Sequence, residues 1–250
     1  MKFLSLDIEI SDVFELKPGE DLEQHAPFHI AVAATVDSEG ERRLWYSSDE
    51  RGAPAVNMDP AKARELLEDL QARQAAGWML FTWNGLKFDL RWIGHNAGNL
   101  ELAARIALAH YDPLLQFFNQ RGFPVSLAAV AAGMGIPQKK LMQAAEAPRE
   151  WCAGNHQRVM DYVLGDCEIT SQLVQRIARE GAIRWVNKQG LVNREPIKRF
   201  KTVAEVLCEP EPDQSWRTSR PLRRAQFSGW LPAHLTPELL EGEHFRPKLI

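Results

Sequence analysis

Asp7, Glu9, Asp89, Tyr162 and Asp166 are the residues whose types and spacing suit the binding of a divalent cation. Asp7 and Glu9 stand in Leu4-Ser5-Leu6-Asp7-Ile8-Glu9-Ile10, where apolar and polar residues alternate. Period two marks a strand with one apolar face, so both carboxylates project the same way, roughly 7 Å apart at the strand rise. Like charges side by side on a strand repel. A cation held by carboxylate oxygens removes that penalty; the plain alternative is the solvated face of an edge strand. Asp166 falls in a largely apolar helical stretch, where an acidic side chain is costly unless paired or ligated. Tyr162 precedes it by one helical turn, and residues at i and i+4 share a helix face. Asp89 follows Phe88 near the start of another helix, just after the turn Asn84-Gly85.

These side chains need elements to position them. Leu4 to Ile10 is the first strand, and Ser11 to Gln24 reads as a polar, acidic loop. Phe28 to Val36 is a second, buried strand; Asp37 to Gly40 makes a turn into a third, Arg42 to Ser47. Asp59-Pro60 opens a helix, with Asp59 as cap and Pro60 in the first turn; Leu66, Leu67 and Leu70 form its apolar stripe, and Gly77 ends it. Trp78 to Trp83 is a short fourth strand, and Lys87 to Asn96 begins a helix. Arg105 to Tyr111 could continue a helix or form a fifth strand; the strand is preferred, because Asp112-Pro113 stops it and opens the next helix. Leu114 to Gln120, Leu127 to Met134 and Lys139 to Ala147 are short helices. His156 to Arg179 is a long one closed by Gly181. Three sequential antiparallel strands followed by βα units predict an α/β fold: a mixed five-stranded sheet with helices on both faces.

The whole chain narrows the function classes. Of its 250 residues, 45% are hydrophobic and 25% charged, as in an ordinary globular protein, and the net charge is −3. A basic field over the whole molecule is absent, so contact with nucleic acid must be local. Cys152, Cys167 and Cys208 include no Cys-x-x-Cys pair, which argues against a zinc site or a disulfide frame and fits a reducing compartment. No leader pattern and no apolar run of membrane-spanning length is present, so the expectation is a soluble cytoplasmic protein without a membrane partner.

Taken in order, Asp7-x-Glu9, Asn84-Gly-x-x-Phe88-Asp89 and Tyr162-x-x-x-Asp166 resemble the motifs of the DEDD family of 3′→5′ exonucleases, in its DEDDy branch. Asp112-Pro113-Leu114, Val125 to Ala131 and Gly135-Ile136-Pro137 match as well. The resemblance covers about Lys2 to Arg179 and is greatest to stand-alone exonucleases similar to the proofreading domain of family B DNA polymerases. It implies a ribonuclease H-like fold and a hydrolase acting on phosphodiester bonds with two divalent ions, Mg²⁺ or Mn²⁺. Single-stranded nucleic acid would be trimmed from its 3′ end, DNA before RNA, releasing nucleoside 5′-monophosphates. Asp7 would bridge both ions, Glu9 and Asp166 would complete the site that activates water, and Asp89 would serve the second ion mainly through water. Tyr162, mostly protonated at neutral pH, would orient the attacking water. Ile10, Asn84 and Phe88 are the candidate substrate contacts; for Asn84 the alternative is fixing a turn, for Ile10 and Phe88 core packing.

The resemblance fits a domain over residues 1–185 and stops before a C-terminal extension, 186–250. The extension holds Arg194, Lys198, Arg199, Lys201, Arg217, Arg220, Arg223 and Arg224, with Trp216 and Phe227 among them. Basic residues interleaved with aromatics suit a nucleic-acid track; the alternative is an extension packed on the core with solvated arginines. Two other functions compete with the exonuclease: a catalytically silent ribonuclease H-like binding module, and a ribonuclease H-like endonuclease.

Overall fold

The computed structural model describes residues 1–17, 19–138 and 142–235. Four strands form the central sheet, in the order β3-β2-β1-β4: β1 Phe3–Ile10, β2 Ile30–Asp37, β3 Arg42–Trp45 and β4 Met79–Phe81. β1 runs antiparallel to β2, from Leu4 opposite Asp37 to Ile10 opposite Ile30, with an irregularity between Glu9 and Ile10. It runs parallel to β4 only from Phe3 opposite Met79 to Ser5 opposite Phe81. The sheet is therefore mixed, within an α/β architecture.

Helices α1 Pro60–Ala75, α2 Asp89–Asn96 and α3 Leu100–Ala109 pack around one face. There Leu66, Leu70, Leu90 and Ile93 share a core with Leu4, Leu6, Ile8 and Ile10 of β1. Asp59 caps α1 by accepting from the Lys62 N–H at 2.8 Å, with Pro60 in the first turn, as its sequence predicts. The expected fifth strand is α3 instead. Leu-Glu-Leu-Ala-Ala-Arg-Ile-Ala-Leu-Ala consists almost wholly of strong helix formers. Asn99 caps it, and Ala103, Ala104, Ile106, Ala107 and Leu108 are its buried residues. Only Tyr111 keeps a sheet contact, a parallel bridge to Phe81.

Next come α4 Pro113–Arg121, α5 Leu127–Gly133, α6 Ala147–Cys152 and α7 His156–Glu180. The helix expected over Lys139 to Ala147 begins outside the described residues; its described part holds one tight helical turn, Ala144–Glu146. α7 crosses the other face of the sheet. Val159, Val163 and Cys167 pack against Val32 and Ala34 of β2, and the Ser171 hydroxyl lies 2.9 Å from that of Ser5. The alternation in β1 thus sorts its side chains: Leu4, Leu6 and Ile8 face α1 and α2, while Ser5 and the odd residues beyond it face α7.

After Gly181, left-handed at φ 63°, the chain forms a hairpin of β5 Ala182–Val186 and β6 Val192–Pro196. Residue 185, where the sequence reading ends its first domain, lies within β5. The hairpin rests on α5 so closely that a Cβ on Gly133 would lie 2.5 Å from the Trp185 backbone. Two short helices follow, α8 Val203–Leu207 and α9 Ala225–Ser228. Phe227, Leu231 and Leu235 are buried in the same core as Leu114 and Phe118. No helix among the described residues is long and apolar enough to cross a membrane.

Candidate metal centre and cleft

β4 ends at Phe81, so beyond Ser5 one edge of β1 has no neighbouring strand. A crevice opens there, at the carboxyl end of the strand, the usual place for ligands in open α/β sheets. Asp89, the first residue of α2, enters this gap, and its Oδ1 accepts the Ile8 N–H at 3.1 Å. Asp89 is thereby buried and fixed at the open edge of the strand.

Asp7 and Glu9 project from the face of β1 that α7 covers, and α7 brings Asp166. One carboxylate oxygen from each of the three residues lies within 4.8 Å of the others. Two ligand bonds to Mg²⁺ or Ca²⁺, each about 2.0–2.6 Å, span at most about 5 Å, so three such oxygens can share one cation. The electrostatics favour this as well. Burial pushes the Asp7 carboxyl well above the usual range, and Asp89, Asp166 and Glu9 push it further. Burial, Asp166 and Asp89 do the same to Glu9. Asp89 is pushed up to about 7, chiefly by burial. Burial also raises Asp166, against the lowering effect of a hydrogen bond from Tyr162. Among the described residues no lysine or arginine pairs with any of the four. A partly buried oxygen-only donor set without a protein counter-charge fits a hard divalent cation.

Tyr162 is half-buried one turn before Asp166. Burial, then the charges of Asp166 and Glu9, drive its ionisation far above the ordinary phenol range. Its hydroxyl is therefore a hydrogen-bond donor at any working pH, not a base.

Asp7, Glu9, Asp166 and Tyr162 line a cavity of about 330 Å³, whereas Asp89 does not reach its surface. Ile10 and Phe88 line it too, Phe88 also packing on Phe28 with ring centroids 5.8 Å apart. Asp12, Phe14, Leu16 and Leu22 complete one wall, from the segment that the sequence reading passes over as a polar loop. The available signal was the apolar spacing of Val13, Phe14, Leu16 and Leu22. Asp12 is itself engaged by His29, whose Nδ1 lies 2.9 Å from Asp12 Oδ1.

Asn84 is placed elsewhere. It is left-handed at φ 77° and lines a neighbouring cavity with Lys87, not the carboxylate cleft. Its N–H donates to Asp112 at 3.2 Å, and buried Asp112 also accepts from the N–H groups of Leu86, Leu114 and Leu115. Asp112 thus ties the loop leading to Phe88 and Asp89 onto the start of α4, a positioning role the sequence reading did not assign. Of the extension's basic residues, Arg224 is taken up internally, donating to the carbonyls of Val206 and Glu209 at 2.7 and 2.6 Å. Arg217 lies over the ring of Trp216. Neither these two nor Arg223 lines the carboxylate cleft.

No protein-family model matches the chain, and no curated protein does. Among solved structures it is similar to the family B DNA polymerase from the hyperthermophilic archaeon Pyrobaculum calidifontis, at 15% identity and a TM-score of 0.49. That match covers 71% of this chain and 24% of the polymerase chain. At such values the likeness decides nothing about activity, and the side chains of the cleft must do so.

Proposed function

We propose that the chain is a metal-dependent 3′→5′ exonuclease of the DEDDy type, with a ribonuclease H-like core, acting on single-stranded nucleic acid. The observation that carries this reading is the meeting of Asp7, Glu9 and Asp166 within 4.8 Å in a cavity that Tyr162 also lines. Asp7, Glu9 and Asp166 would hold the divalent cations, Mg²⁺ or Mn²⁺, with Asp89 serving a second ion through water. Bound there, such ions supply an acidified water and relieve charge on the phosphoryl and leaving oxygens.

The chain's own groups do the rest. The Tyr162 hydroxyl keeps its proton and orients the attacking water by a hydrogen bond. Phe14, Leu22, Phe88 and Ile10 give the cleft an apolar wall on which a terminal base can stack whatever its identity. Asp89, fixed to the Ile8 N–H, holds β1 in register with the start of α2. Attack at the terminal phosphodiester would release a nucleoside 5′-monophosphate and leave a 3′ hydroxyl on the shortened strand.

The test is incubation of 3′-labelled and 5′-labelled single strands of DNA and RNA with Mg²⁺ or Mn²⁺. Mononucleotides should appear from the 3′ end, and Asp7→Asn should abolish their release. Internal cuts without mononucleotides would favour the endonuclease; binding without any cleavage would favour the silent module.

A further inference from the structure

A second cavity, about 660 Å³ in volume, lies against the carboxylate cleft. Consecutive residues of two separate segments face opposite sides of the boundary. Leu22 and Phe88 line the cleft, whereas Asp21, Glu23 and Lys87 line the second cavity. Leu222, Gln226 and Phe227 of the C-terminal segment also contribute to it. We propose that this cavity takes the nucleotide immediately upstream of the one being cleaved, so that the C-terminal segment forms part of the substrate track.

The chemistry lies in its unused donors. Gln226 accepts from the Arg223 N–H through Oε1, which leaves its amide N–H groups uncommitted. Ser126 accepts from the Ala129 N–H, which leaves its hydroxyl proton uncommitted. Lys87 has no ion-pair partner among the described residues, and it stands directly before Phe88. Of the two acids, Glu23 is paired with Arg91 at 2.7 Å, whereas Asp21 accepts only the Glu23 N–H among the described residues. Donors around an apolar floor that includes Val125 and Leu222 select a flat ligand rich in acceptors. A nucleotide offers base carbonyls and ring nitrogens to the amide and hydroxyl, and a phosphodiester to the lysine. With the last base on Phe88 and the scissile phosphate at the carboxylates, the upstream nucleotide would bring its own 5′ phosphate to Lys87.

The inference rests on the exonuclease reading, so its test has two arms that fail separately. In the first, a 5′-fluorescent single-stranded oligonucleotide is titrated into Asp7→Asn protein at several salt concentrations. Adding Lys87→Ala should weaken binding about tenfold, the size of one charge-assisted hydrogen bond, and reduce the salt slope by about 0.7, one single-strand phosphate contact. Gln226→Ala should weaken binding without altering that slope. Lys198→Ala, a charge-matched control outside both cavities, should change neither. In the second arm, turnover by otherwise wild-type protein is compared on an oligonucleotide and on a 5′-mononucleotide aryl ester, which has no upstream nucleotide. Lys87→Ala should lower kcat/KM for the oligonucleotide about tenfold and leave the ester unaffected. Equal losses on both substrates, or unchanged binding and salt slope, would overturn the proposal. If the wild type turns over neither substrate, the exonuclease reading fails, and the binding arm still decides the cavity.

Discussion

Tyr162 separates this cleft from a generic acidic pocket. Its hydroxyl donates to Asp166 and cannot ionise at working pH, so Tyr162→Phe removes one oriented hydrogen bond and almost no volume. Stabilisation by Mn²⁺ should survive the change while mononucleotide release falls about 10²-fold, as for loss of a positioned polar group. A wild-type rate would reduce the tyrosine to a packing residue. The carboxylates themselves should make stability depend on pH. A carboxyl with a raised folded pKa adds stability below its unfolded value and loses it as pH rises through the folded one. For Asp89 that window runs from 3.8 to about 7; Asp7, Glu9 and Asp166 act in the same direction. His110 opposes them: burial pushes it down to about 4, so it stays neutral in the fold while the unfolded chain gains a proton below 6.5. It is one group against five carboxyls, since burial also raises Asp112 to about 6. The metal-free protein should melt higher at about pH 5.5 than at about pH 7.5, and Mn²⁺ should raise Tm more at the higher pH, where protons compete less for the same oxygens. Calorimetry at both pH values decides; a Tm rise with Mn²⁺ larger at the acidic pH would contradict the site. These residues were legible because spacing alone puts Asp7 with Glu9 and Tyr162 with Asp166. The direction of Asp89 was not, since it depends on where β4 stops.

Among the elements, the loop from Asn84 to Asp89 depends on one buried carboxylate. Asp112 accepts four backbone N–H groups, two from that loop and two from the first turn of α4. Asp112→Ala leaves those donors without their partner and should cost about 3 kcal/mol, combining a lost cap with unsatisfied buried donors. Asp112→Asn keeps one acceptor oxygen and should cost less. Urea midpoints measure both; a loss under about 1 kcal/mol for the alanine would mean that water replaces the carboxylate. Asp112-Pro113 was readable as a helix start, but its grip on a loop far earlier in the chain was not. The same limit explains the fifth strand. Arg105 to Tyr111 is apolar enough for a strand, yet the Ala-rich run is a better helix, and only Tyr111 reaches the sheet. β6 escaped notice for the opposite reason: Val192–Pro196 is largely exposed and carries little apolar pattern, although Asn187 to Gly190 supplied the turn.

Across the whole molecule, the C-terminal segment closes the core. Phe227 packs on Phe118 with ring centroids 4.9 Å apart, and the Trp230 indole donates to the Leu86 carbonyl at 2.6 Å. Phe227→Ala should cost about 3–5 kcal/mol, the usual range for a buried phenylalanine. Unfolding followed by tryptophan fluorescence and by far-UV circular dichroism should still coincide in one transition. Two separated transitions would show the segment to be an independent unit. Its aromatics and arginines were visible in the sequence; that Arg224 is spent inside the fold was not, because its partners are backbone carbonyls. The carboxylate cluster has a consequence for biosynthesis. Asp7 and Glu9 belong to β1, and Asp166 belongs to a helix completed only after more than half of these 250 residues have followed. At about 5–20 residues per second, the first two carboxylates wait several seconds or longer for the third. A nascent chain therefore lacks the three-carboxylate cluster until α7 has emerged and docked.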